Sequence, residues 1–92
     1  MDFTEIYKLK EMLDAEGIPN TLAPLWDGLQ IKVFTNNEKT EAFDDAVLHS
    51  GSYGSGKGLL ETYNLNNCEG YETAEQVFEG WKNIFKNFRK TY

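Results

Sequence analysis

TLAPLWDGLQIKVF, Thr21 to Phe34, decides the fold. Two apolar-rich runs flank Asp27-Gly28, a dipeptide suited to a two-residue hairpin turn whose central positions both take positive φ. With the turn there, Trp26 faces Leu29, Pro24 faces Ile31 and Leu22 faces Val33, all on one apolar face. Leu25 with Gln30, Ala23 with Lys32 and Thr21 with Phe34 form the opposite face. A one-residue slip would mix the two sets, so the register is well specified. Pro24 has no N–H for a ladder, which places Asn20–Trp26 at a sheet edge or makes it irregular there. Trp26 is expected in the core at the hairpin end; exposed, it would instead stack on a base or a partner side chain.

Helical signals bracket this hairpin. Asp2 to Glu16 reads as a helix, with Asp2 and Glu5 at capping-box spacing. Phe3, Ile6, Leu9 or Lys10, and Leu13 recur on one side, and Tyr7 and Met12 widen the stripe. Gly17 supplies a left-handed end and Pro19 prevents continuation. Thr73 to about Phe88 is the second helix. Thr73 and Gln76 form its capping box, and Val77, Trp81, Ile84, Phe85 and Phe88 share one face. Gly80 is expected to mark close packing against the sheet. Between hairpin and second helix, Asn36-Asn37 marks a turn and Ala42 to Ser50 reads as a third strand, with a bulge or frayed start at Asp44-Asp45. Val47 and His49 point one way along it, Ala46 and Leu48 the other. Leu59–Leu65 fits either a short strand or one helical turn, and Asn66 to Glu72 reads as polar loop. The expected architecture is a single α+β domain over residues 1–92. A small antiparallel sheet of three or four strands is flanked by an N-terminal and a C-terminal helix, in the order α-β-β-β-(β)-α. Both helices would cover the apolar face of the sheet.

Charge narrows the range of partners. Formal net charge is −6. Fifteen acids and five lysines up to residue 81 leave −10 there, and Lys82, Lys86, Arg89 and Lys90 return +4. Such a body repels nucleic acid, so direct DNA binding is not expected. The basic tail fits either contact with an anion or complementarity to a helix C-terminus. No apolar run reaches membrane-spanning length, and MDFTEIYKLKEML is an amphipathic helix with acids rather than a signal peptide. The lone Cys68 excludes an internal disulfide and suits a reduced, cytoplasmic setting.

GSYGSGKG, Gly51 to Gly58, has the outline of a phosphate loop. Gly58 stands where that motif needs a magnesium-binding hydroxyl, and no parallel sheet or long helix is in place to complete it. The stretch is then either a structural turn or a loop whose N–H groups bind a phosphate or nucleotide without magnesium. His49 precedes it, as a strand-end residue or as a ligand contact beside Ser50, Ser52 and Tyr53. His49 lacks companions for a metal site, and its nearness to Ser50 and Ser52 sets no triad geometry. No cofactor and no catalytic activity are expected.

MDFTEIYKLKEMLDAEGIP, LWDGLQI, DAVLHSGSYG, GLLE and TAEQVFEGW, in that order, resemble a family of small uncharacterised proteins from phages and prophages of Firmicutes. The likeness covers most of the chain and rests on the order of short motifs. In the family pattern the segment matching His49, Ser52, Tyr53 and Gly54 recurs, whereas Ser55, Gly56 and Lys57 fall in its variable part. The resemblance implies a phage accessory protein acting in the cytoplasm of an infected or lysogenic bacterium. On that basis the expected function is non-enzymatic counter-defence. The protein would bind and sequester a nucleotide-derived immune signal through His49, Ser50, Ser52, Tyr53, Gly54, Lys57 and Trp26. A homo-oligomer is expected, because a chain of this length has little core to spare. The alternative is an acidic, protein-binding inhibitor of a bacterial defence nuclease, of the anti-CRISPR type, using Glu38, Glu41, Asp44 and Asp45. A structural or regulatory phage protein is a third class.

Overall fold

In the computed structural model, which describes residues 3–49, 58–63 and 70–89 (70 and 83–89 by backbone alone), the hairpin joins β1 (Asn20–Leu25) to β2 (Gly28–Phe34). Its turn is Trp26-Asp27, and Leu25 pairs with Gly28. The expected register is therefore shifted by two residues: Leu22 faces Ile31 and Pro24 faces Leu29. A shift of two preserves the side-chain faces, so the two-sided pattern survives. The cause lies on the neighbouring strand, β3 (Ala42–His49). Gly28 pairs with His49, and a Cβ on Gly28 would fall 1.7 Å from the Leu48 carbonyl oxygen. The glycine is needed inside the ladder and is not spent on the turn. Nor does the turn use positive φ, which among the described residues occurs only at Gly17 and Lys39.

The full order is α1 (Thr4–Ala15), β1, β2, β3, β4 (Leu60–Thr62), β5 (Gly70–Tyr71) and α2 (Ala74–Arg89). The strands are antiparallel and lie in sequence order, β1 at one edge with Pro24 in it. The ambiguous stretch after the glycine-rich segment is thus a strand over Leu60–Thr62. The stretch expected as polar loop contributes the short edge strand Gly70–Tyr71.

Both helices lie on one face. Leu29, Ile31 and Val33 of β2, Ala46 and Leu48 of β3 and Leu60 of β4 meet Ile6, Leu9 and Leu13 of α1 and Ala74, Val77 and Trp81 of α2. Tyr7, expected to widen the α1 stripe, is half-exposed instead. The α1 end is a Schellman motif, with the Gly17 N–H donating to the Asp14 carbonyl and the Ile18 N–H to that of Leu13, at φ +71° for Gly17. The α2 start is the expected capping box: the Gln76 N–H donates to Thr73 Oγ1, and Gln76 Oε1 accepts from the Thr73 N–H. Asp2 lies outside the described residues. Its expected box partner, Glu5, acts elsewhere: Glu5 Oε1 accepts the Ala74 N–H at 2.9 Å and so helps cap α2. Gly80 lies against β5 as expected, since a Cβ there would come 3.0 Å from the Tyr71 hydroxyl.

Asp44 departs most from expectation. Its strand parity points it at the helices, and it is 4% exposed. Trp81 Nε1 donates to Asp44 Oδ2 at 2.6 Å, and the Asp45 N–H donates to Asp44 Oδ1 at 2.8 Å. The register slips between Val33 and Phe34, which leaves Phe43 as the extra residue of a bulge and sets its ring edge-on to Trp81 at 6.2 Å. Asp44 is thereby withdrawn from any protein-binding surface.

Gly28→Ala is expected to cost about 3 kcal/mol or more in urea unfolding, because backbone must move to admit the methyl group. Gly80→Ala meets only the far end of a tyrosine and gains about 1 kcal/mol of helix propensity, so the same measurement should find it neutral or stabilising. A hydrogen bond from Asn20 holds the Asp14 carboxyl below the usual aspartate range, with Lys10 adding to it. A depressed carboxyl favours folding above its unfolded value, and that contribution fades as pH falls through the folded one. Asn20→Ala should therefore flatten the stability loss measured below about pH 4.

Candidate functional site

The face of the sheet away from the helices carries the cluster of interest. The pairings set Leu25, Gly28 and His49 in one cross-strand row, and Ala23, Gln30, Val47 and Glu61 in the next. His49 ends β3 opposite Gly28. His49 Nδ1 lies 3.0 Å from Asp27 Oδ2. On its other side His49 Nε2 lies 3.1 Å from Glu61 Oε2 and 3.4 Å from the Tyr63 hydroxyl. The Tyr63 hydroxyl donates to the same Glu61 oxygen. One ring nitrogen thus faces the Asp27 carboxylate and the other the Glu61 carboxylate. Asp27 is buried, and its carboxylate lies against that ring. Glu61 sits further out, its side chain 34% exposed.

The expected site is divided by this arrangement. His49 is at its centre. Ser50, Ser52, Tyr53, Gly54 and Lys57 lie outside the described residues. Trp26 is 85% exposed at the hairpin tip, which corrects its expected place in the core. The turn begins one residue earlier than expected, and that lifts the indole off the apolar face. Asp45 is on the open face, but Gln30 Nε2 donates to it and holds it in the sheet. Glu38 and Glu41 are exposed around the turn between β2 and β3, at the other end of the sheet from His49.

Sequence reasoning explains Asp27 by its turn alone and does not tie Glu61 or Tyr63 to His49. The available signal was parity: once Leu60–Thr62 is a strand beside β3, Glu61 shares the face of Val47 and His49. Among the described residues, no three His, Cys, Asp or Glu side chains are arranged to hold a metal ion. Here the two ring nitrogens of His49 face carboxylates on opposite sides. At the far end of the sheet a cleft of about 230 Å³ is lined by Lys10, Asp14, Asn20 and Lys39, among others. Its Lys10 is already engaged by Asn20 and Asp14, which marks the cleft as a structural joint. Among the described residues no helix is long and apolar enough to cross a membrane. No family model matches the chain, and comparison with curated proteins and with solved structures returned no match.

Asp27→Ala removes the buried acceptor of His49 and should lower stability by about 1–3 kcal/mol in thermal unfolding. Tyr63→Phe deletes a more exposed hydroxyl and should change it by less than about 0.5 kcal/mol.

Proposed function

We propose that the chain is a non-enzymatic, phage-type counter-defence protein that binds a basic surface of a partner protein, in the manner of an inhibitor occupying the nucleic-acid channel of a bacterial defence nuclease. The carrying observation is the Asp27–His49–Glu61–Tyr63 cluster on the open sheet face. Two carboxylates stand there against one imidazole, on a body that is itself acidic. A phosphate brought to Glu61 would meet like charge, whereas a lysine or arginine is drawn in. Both His49 nitrogens are turned toward side chains of the cluster, an arrangement suited to holding a surface in shape rather than to moving a substrate's proton. Glu38 and Glu41, exposed at the opposite end of the sheet, add to the acidic charge of the body. Long-range attraction would speed encounter with a basic channel, and occupancy would then exclude nucleic acid.

A second reading is favoured by Trp26. An exposed indole beside the His49 end of the sheet is a stacking platform for a base. On this reading the chain sequesters a nucleotide-derived immune signal, with Ser50, Ser52, Tyr53, Gly54 and Lys57 supplying further contacts and a homo-oligomer sharing the pocket.

Titration into purified CRISPR and other DNA-cleaving defence enzymes should show inhibition that weakens by about an order of magnitude from about 50 to 200 mM salt. Thermal stabilisation by a cyclic dinucleotide or an ADP-ribose derivative, without inhibition of any nuclease, would replace this reading with the second.

A further inference from the structure

We infer that the patch formed by Trp26, Leu25, Leu59, Glu61 and Tyr63 is the seat of an arginine side chain contributed by the basic partner. This rests on the protein-binding reading above and specifies its contact. Leu25, Trp26, Leu59 and Tyr63 are four of the five exposed large hydrophobic residues among those described. Leu25 is in the row of Gly28 and His49, and the β3–β4 register continued one residue places Leu59 opposite His49. The Tyr63 hydroxyl reaches Glu61 and His49, and Trp26 caps the turn next to Leu25. Leu59 and Tyr63 therefore flank Glu61 along β4, and Leu25 and Trp26 lie across His49 from it.

That combination selects its occupant. A purely apolar partner would bury the Glu61 charge without compensation. An acidic partner would add a like charge. A lysine supplies the charge but remains strongly hydrated and has no flat face. A guanidinium is planar and weakly hydrated, stacks on an indole, and keeps N–H groups at its edge for a carboxylate. Glu61 has an oxygen suited to this. His49 and Tyr63 both engage Oε2, and Oε1 belongs to a partly exposed side chain. The exposed Trp26 indole offers the stacking surface, and Leu59 and Tyr63 flank the carboxylate that completes the ion pair.

The test uses the full chain and three capped heptapeptides, Gly-Arg-Gly-Arg-Gly-Arg-Gly and its lysine and citrulline counterparts, measured by calorimetry and by amide and indole NMR shifts. The arginine peptide should bind about three- to five-fold more tightly than the lysine peptide, and the uncharged citrulline peptide most weakly. The largest shifts should fall on the Trp26 indole and on Glu61. Trp26→Ala and Glu61→Gln should each erase the arginine preference, with folding checked by the unchanged NMR dispersion of the core. Equal binding of arginine and lysine peptides, or a preference untouched by both variants, overturns the arginine seat and leaves a basic partner standing. Absence of peptide binding at millimolar concentration also overturns the seat. Inhibition of a nuclease, measured separately, decides the wider reading.

Discussion

At Gly28 the backbones of β2 and β3 approach so closely that one added methyl group would sit 1.7 Å from the Leu48 carbonyl oxygen. Much of the molecule follows from that contact. It keeps Gly28 in the ladder and moves the turn to Trp26-Asp27. Opposite Gly28, the His49 ring reaches Asp27 of that turn. With His49 held at one end by a buried carboxylate, its far nitrogen meets Glu61, and a cross-sheet chain of polar groups ties the hairpin tip to β4.

The opposite face is organised by a different polar group. Asp44 is a carboxylate among aliphatic side chains, tolerable because Trp81 and the Asp45 N–H both donate to it. The bond to Trp81 connects the sheet to α2 and fixes where along the strand the helix sits, which apolar contact alone would leave free to slide. The Phe43 bulge supplies the edge-on ring that packs beside this joint. The two faces thus use acids in opposite ways: Asp44 is consumed by the core, whereas Glu61 is presented outward.

Local signals in the sequence carried the helix ends well. Gly17 followed by Pro19, and Thr73 with Gln76, act within a few residues and need no tertiary context. Strand parity was equally legible, because Ile31 and Val33 alternate with polar residues whatever the register. What failed was non-local. Asp27-Gly28 is a strong turn signal, but its competitor was a carbonyl on a strand some twenty residues away. Asp44 is charged, and only the β3 register and the position of Trp81 reveal that it is buried. The association of Glu61 with His49 waited on the assignment of a three-residue strand, too short to show an alternation of its own. The short Gly70–Tyr71 strand exists by pairing with Leu60 and Glu61 and has no independent pattern.

The bond from Glu5 to the Ala74 N–H spans sixty-nine positions and joins the first helix to the start of the last. The nearby ion pair of Lys8 with Glu75 follows the same path. A helix terminus finished by a side chain so distant in sequence is complete only after the chain between has been laid down as sheet. The ends of the chain are therefore among the last parts to become independent of each other, and among the first to sense each other's loosening. Exchange of the amide hydrogens in the opening turn of α2 should then report on the docking of α1, so that the molecule opens as one unit rather than fraying separately from each end.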